Sequence, residues 1–277
     1  FVTVVQKFSF FTETTSTPSG ALASGVGQQA SVNSATKGYA LGGRNNSNTS
    51  LTSIAALVFT DDSVSALAAA LSTGRHECGG VNSTTHGYAL GGNTNHSSPS
   101  YTNATGGIVF ASEAANNPAG TLSSARRINN VTASASDRGY AFGGSNGGAV
   151  SAIDKFTFAT ETSAAITDTV SAATWHEGAG TNSTTAAYGL GGPSQTAVCT
   201  KMPFATETDA TLAATLSVAR SNGAGVNNFT HSFLLGGHNV SSAIDGIDHS
   251  NDALVNPAAT LGTAVTVAGQ FQSGGYL

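Results

Sequence analysis

An all-β fold is predicted for this chain: a six-bladed β-propeller whose ring is closed by N- and C-terminal strands sharing one blade. Three observations predict it. A glycine-doublet motif recurs at a nearly constant period, an aromatic motif recurs between its copies, and apolar residues alternate with small polar ones at a period of two. GYALGG begins at Gly38 and again at Gly87, GYAFGG at Gly139, AYGLGG at Ala187 and SFLLGG at Ser232, with a truncated copy from Gly275. The starts define six repeats of about 43–52 residues, and self-similarity at such a period decides the architecture before any local reading does.

Between the doublets stand VVQKFSFFTET from Val4, SAIDKFTFATET from Ser151 and CTKMPFATET from Cys199. Looser forms are TSIAALVFTDD from Thr52 and TGGIVFASE from Thr105. Each is followed by a segment with a leucine or valine, such as AALST, GTLSS or ATLSV. Aromatic and β-branched residues hold the apolar positions of the two-residue alternation, which makes these segments strands. Four strands per repeat, joined by loops such as GGRNNSNTS and GGNTNHSSPS, match one propeller blade, and no convincing helix is present.

The doublets are Gly42 and Gly43, Gly91 and Gly92, Gly143 and Gly144, Gly191 and Gly192, and Gly236 and Gly237. They end the second strand at a crowded turn, where residues without a Cβ reach positive φ and admit neighbouring chain. The aromatic three residues before each doublet (Tyr39, Tyr88, Tyr140, Tyr188, Phe233) is expected to fill the space between blades. The chain starts on the third-strand motif and stops inside the second-strand motif, so its two ends together complete one blade. Residues 1–277 then form a single domain without free sheet edges.

Composition narrows function. Only 9% of the residues are charged, against roughly 25% in an average soluble domain, and 34 of 277 are glycine, so Ser and Thr supply most of the polarity. The net charge of −5 and ten scattered basic residues leave no patch able to neutralise several phosphates, which excludes nucleic acid as a main partner. No uninterrupted apolar run of about 18 residues exists, so membrane insertion is not expected. Cys78 and Cys199 lie too far apart in sequence for a metal-ligand spacing or a disulfide framework. Sequons at Asn45, Asn82, Asn103 and Asn182 arise readily in a chain this rich in Asn, Ser and Thr, and do not establish secretion.

The repeat resembles that of the kelch family, in which a blade starts with Arg and runs through a small-residue strand to an aromatic, two apolar residues and Gly-Gly. Arg75-His76-Glu77-Cys78-Gly79-Gly80 leads to Tyr88 and Gly91-Gly92 with that spacing, and Arg220 leads to Phe233 and Gly236-Gly237. The family's late tryptophan is absent, Val26 stands for the Arg in the first copy and Trp175 in the fourth. GYxLGG combined with F-x-x-ATET is most similar to kelch-type repeats of bacteriophage virion and bacterial surface proteins. That resemblance, with the neutral surface, implies a position outside a cell or on a virion.

Residues that vary from blade to blade at the start of the innermost strand would ring the central channel. The aligned sets are Val26-Gly27-Gln28, Arg75-His76-Glu77, Arg127-Ile128-Asn129, Trp175-His176-Glu177, Arg220-Ser221-Asn222 and Thr263-Ala264-Val265. Arg75, His76, Glu77, Arg127, Trp175, His176, Glu177 and Arg220 are the candidate contacts: an aromatic to stack on a sugar and polar groups to bond its hydroxyls. The alternative is that the arginines satisfy carbonyls between blades and the histidines are solvated. A metal set from His76, Glu77, His176 and Glu177 would draw on residues two blades apart, and neither metal nor cofactor is expected. The repeated acids Glu13, Glu161 and Glu207 are expected to bond backbone amides in their turns. No nucleophile elbow, carboxylate pair or phosphate loop stands out. The expectation is a non-enzymatic module that binds surface glycans or a host receptor, or else a scaffold docking onto protein partners in an assembly; a sugar-metabolising kelch-type enzyme is a third class.

Overall fold

In the computed structural model, which describes residues 3, 5–22, 25–129, 131–171, 177–238 and 242–261, each full repeat folds into one antiparallel four-stranded sheet. Strands a to d follow sequence order outward from the axis. Blade 1 comprises Ala30–Asn33, Lys37–Leu41, Ser53–Val58 and Val64–Ala70, and blade 2 comprises Gly79–Asn82, His86–Leu90, Thr105–Val109 and Ala115–Asn116. Blade 3 comprises Thr132–Ser134, Arg138–Phe142, Ala152–Thr157 and Thr162–Thr169. Blade 4 comprises Ala179–Asn182, Ala186–Leu190, Val198–Pro203 and Ala210–Thr215, and blade 5 comprises Ala224–Asn227, His231–Leu235, Ile244–Asp248 and Leu254–Val255. No helix occurs among the described residues, and hence none long and apolar enough to cross a membrane.

Position in the blade explains strand composition. Strand b lies between a and c with both faces covered, so its side chains are small or apolar throughout, as in Gly87-Tyr88-Ala89-Leu90, all buried. Strand d has one face open, and Thr162–Thr169 alternates between exposed and half-buried. The apolar clusters lie between blades: Val81, Tyr88 and Leu90 of blade 2 pack on Ile128, Ala141 and Phe156 of the third repeat. Tyr140 and Phe142 of blade 3 pack likewise on Met202 and Phe204 of the fourth.

The doublets turn as expected. Gly91 and Gly92 have φ of 59° and 117°. The Gly92 N–H donates to the carbonyl of Arg126 at 2.9 Å, stitching blade 2 to blade 3. A Cβ on Gly92 would press on Cys78 Sγ and the His76 carbonyl. The doublet is therefore both the turn and the seam.

The aromatics before the doublets stack on the next repeat: Tyr39 on Phe110, Tyr88 on Phe158, Tyr140 on Phe204 and Tyr188 on His249. Each tyrosine hydroxyl then donates to the acid in the c–d turn of that next blade. Tyr88 reaches Glu161 at 2.9 Å, Tyr140 reaches Glu207 at 2.7 Å, Tyr39 reaches Glu113 at 3.2 Å and Tyr188 reaches Asp252 at 3.1 Å. The described Glu161 and Glu207 contacts thus differ from the backbone-amide bonds expected of the turn acids: their carboxylates reach across to a neighbour's side chains. The six turn acids Glu13, Asp62, Glu113, Glu161, Glu207 and Asp252 share φ between 50° and 58°, a left-handed conformation that non-glycine residues adopt at a cost. Glycine would fit that backbone better but could not reach the tyrosine.

Lys7–Ser9 and Thr14–Ser16 form a two-stranded sheet in the sixth position. Phe10 stacks on Phe233 of blade 5 at 6.0 Å, and Lys7 pairs with Asp62 in the c–d turn of blade 1 at 3.1 Å. Five complete blades are therefore described, where the sequence predicts six, and this half-blade bridges the first and the fifth. The expected contribution of the C-terminal segment to the sixth blade falls on residues 262–277, outside the described residues.

Candidate functional site

Antiparallel order puts the a–b and c–d turns at one face of the propeller, and the b–c loops and d–a connections at the other. On the second face a chain of left-handed residues starts the inner strands: Gln28, Glu77, Asn129 and Asn222, with φ between 50° and 63°. The Glu77 N–H donates to the Gln28 carbonyl at 2.7 Å, the Asn129 N–H to the Glu77 carbonyl at 3.1 Å and the Asn222 N–H to the Glu177 carbonyl at 2.6 Å. Shared backbone geometry thus presents a glutamine, a glutamate and two asparagines from four repeats.

Glu77 is the centre of the described part of this face. Its Oε1 accepts from Gln28 Nε2 and from Arg127 Nη1, both at 3.2 Å, and the residue is only 6% exposed. Gln28 in turn accepts from Arg44 Nε at 3.0 Å, and Arg44 is also bonded to Asn48. His76 is fully buried, with Nδ1 2.9 Å from the Ser50 hydroxyl and its ring 5.6 Å from that of His96. His76 Nε2 and Glu77 Oε2 lie 4.0 Å apart, and neither has a hydrogen-bond partner among the described residues. Burial, with Arg44, His96 and Arg127 nearby, pushes the His76 pKa down to about 4, so the imidazole is neutral at physiological pH. The floor of the site is therefore a neutral imidazole beside a carboxylate, and the half-buried Arg44, Arg127 and His96 form its rim.

The ten basic residues explain why this place stands out. Lys7, Lys37, Arg138, Lys155 and Lys201 pair with turn acids on the opposite face. Arg75, Arg126 and Arg220 are sealed inside blades. The remaining two, Arg44 and Arg127, come from different repeats and both approach Glu77.

Of the expected channel-mouth contacts, the structure brings together His76, Glu77 and Arg127. Arg75 and Arg220 are corrections: at 1% and 0% exposure they are buried within their blades and do not line the channel mouth. Arg220 Nη1 lies 2.7 Å from Asp245 Oδ2, and Arg75 Nη1 donates to the Ala104 carbonyl at 2.6 Å. Arg127 is also re-registered. Repeat 3 carries one extra residue before its inner strand, so Arg126 holds the buried position, 2.7 Å from Asp154 Oδ2, and Arg127 aligns with His76. Glu177 is half-buried on the same face, while Trp175, His176 and residues 263–265 lie outside the described residues.

The sequence reading missed Arg44, Asn48, Ser50 and His96, which come from b–c loops that match in neither length nor composition. The signal that finds Arg44 is its being a cation at no repeated position. Among the described residues no group of three His, Cys, Asp or Glu side chains is placed to hold a metal. Cys78 and Cys199 form no disulfide and are buried, and burial pushes both thiols up to about 12, which leaves them unreactive in the folded chain. Compared with known proteins, the chain matches no family model, and no curated protein is significantly similar to it.

Proposed function

We propose that this chain is a kelch-type propeller that works as a non-enzymatic binding module outside a cell, on a virion or a bacterial surface, and that its ligand is a surface glycan or glycosylated receptor. One observation carries the reading: the two cations that the repeat scaffold does not use, Arg44 and Arg127, converge on Glu77. A carboxylate, a neutral imidazole and two guanidinium groups offer donors and acceptors in close alternation, which suits a polyhydroxyl ligand. The fold does not choose between functions, since propellers host many.

A glycan array probed with the purified chain tests it. Binding that is lost in an Arg44→Ala, Arg127→Ala double variant is the expected result. Silence from the folded wild type would transfer the weight to the second reading, a scaffold docked onto a larger assembly.

That second reading draws on Phe11 and Phe229, which are 95% and 70% exposed at the opposite face. Thr60, Ala111, Ala159, Ala205 and Ser250 stand at the position of Phe11 in the other c–d turns, and Ala35, Thr84, Ser136 and Thr184 at that of Phe229 in the other a–b turns. Two large apolar side chains added to a small-residue repeat are the kind of departure an interface makes.

A further inference from the structure

Three repeats carry the motif Leu-Ser-x-x-Arg: Leu71 to Arg75, Leu122 to Arg126 and Leu216 to Arg220. In blades 3 and 5 the hook closes on an aspartate in strand c. Asp154 accepts from the Ser123 N–H and hydroxyl, both at 2.9 Å, and lies 2.7 Å from Arg126 Nη2. Asp245 accepts from the Ser217 N–H at 3.2 Å and lies 2.7 Å from Arg220 Nη1. Asp154 stands opposite Ala141, and Asp245 opposite Leu234; in blade 2 the corresponding place, opposite Ala89, belongs to Gly106. Elsewhere both partners are missing together: the first repeat has Val26 and Ala55 in their places, and the fourth has Thr200 in strand c and no arginine before its inner strand. Blade 2 alone keeps the serine and the arginine without the acid.

Arg75 is 1% exposed, and its Nε and Nη2 have no hydrogen-bond partner among the described residues. A Cβ on Gly106 would overlap Arg75 Nη2 and stand 3.2 Å from Asn117 Oδ1. The guanidinium thus leans into the space that the aspartate side chain takes in blades 3 and 5, and must turn aside to admit an anion. A buried guanidinium without a counter-charge is strongly unfavourable, and water cannot solvate it at that depth. Cys78 is the nearby group whose charge would favour the cation, but burial keeps its thiol protonated. Ser72 is exposed, and neither its N–H nor its hydroxyl finds an acceptor among the described residues. Donors that hold a carboxylate in two blades are thus left without one in the third, with Ser72 at the solvent edge.

We propose that the Ser72–Arg75 hook of blade 2 binds a small monovalent anion, a halide or a carboxylate of formate size, in the place that the Asp154 and Asp245 carboxylates take in blades 3 and 5. The ligand completes the hook as an aspartate side chain would, and ties the d–a connection down onto strand c of blade 2.

Thermal unfolding in sodium chloride and in sodium formate tests this, comparing the wild type with Gly106→Asp, which restores the missing carboxylate, and with Arg75→Met, which removes the cation. Raising either anion from about 10 mM to about 0.5 M raises the wild-type midpoint by about 2–4 °C more than that of either variant. Chloride alone acting assigns a halide site, and formate acting more strongly at equal concentration assigns a carboxylate site. If Gly106→Asp does not fold, the comparison with Arg75→Met stands by itself. A crystal soaked in sodium bromide shows an anomalous peak within hydrogen-bond reach of Arg75 and Ser72. Parallel salt dependence in all three proteins, or bromide peaks only elsewhere, overturns the proposal.

Discussion

Lys7 Nζ lies 3.1 Å from Asp62 Oδ1, which links the first strand of the chain to the c–d turn of blade 1. The same relation joins Lys155 to Glu207 between blades 3 and 4, and Lys201 to Asp252 between blades 4 and 5, each at 2.9 Å. The N-terminal hairpin therefore occupies a blade position by the same contact that blades 3 and 4 make with their next neighbours. The lysine pair is half exposed, as is common for surface ion pairs that contribute about 0–1 kcal/mol, whereas Phe8 and Phe10 pack into the cluster around Phe233.

Closure should accordingly depend on the aromatic contact. Phe10→Ala is expected to destabilise by about 2 kcal/mol or more, and Lys7→Ala by no more than about 0.5 kcal/mol, in urea unfolding. Equal effects would mean that packing against Phe233 does not hold the hairpin in place.

The left-handed acids set strain against reach. Glu161, at φ 52°, accepts from Tyr88 at 2.9 Å and from Asn116 at 2.7 Å. Glu161→Gly relieves about 1 kcal/mol of backbone strain but loses charge-assisted hydrogen bonds of about 1.5–3 kcal/mol, so a net loss is expected. In a Tyr88→Phe background the same substitution should cost less or become neutral. A double-mutant cycle with no coupling would show that the latch does not offset the strain.

Gly92→Ala should be among the most damaging single changes. It combines a φ of 117° with contacts to Cys78 Sγ and the His76 carbonyl, and a loss of about 2–3 kcal/mol is expected. Chemical unfolding gives the value, and wild-type stability would contradict the seam role of the doublet.

His76 should make stability depend on pH. Its pKa is depressed from 6.5 to about 4, by burial first and then by Arg44, His96 and Arg127, so the unfolded chain takes up the proton before the folded one does. The contribution is complete above pH 6.5 and is lost as pH falls toward about 4. Between those values His76→Gln should flatten the stability profile relative to the wild type; identical profiles would mean that the imidazole is not buried neutral. Glu207 acts lower on the scale. Burial alone would raise its pKa, but hydrogen bonds from Tyr140 and Lys155 hold it below 4.5, so its contribution fades only beneath that.

The repeat made the architecture legible, because GYxLGG and F-x-x-ATET encode a turn and a hairpin wherever they occur. The link between them was harder to read: Tyr140 and Glu207 each looked like a local feature of its own repeat, and only the ring brings them to 2.7 Å. At Arg126 and Arg127 adjacent identical residues hid a one-residue insertion, which shifted the alignment of the site. Arg44 had no repeat to announce it, since b–c loops answer to no common geometry. His76, Glu77 and Arg127 were legible because they vary where the surrounding motif does not.

The most direct test of the central claim, that the blade-variable cluster around Glu77 is the ligand surface, is to map the isotope-labelled chain by NMR as an array-positive glycan is titrated in. The account predicts that shift changes concentrate on the Arg44 and Arg127 guanidinium signals, His96 and the backbone of Gln28 to Glu77's neighbours on that face. Changes confined to Phe11, Phe229 and the c–d turns would contradict it and assign recognition to the other face of the propeller.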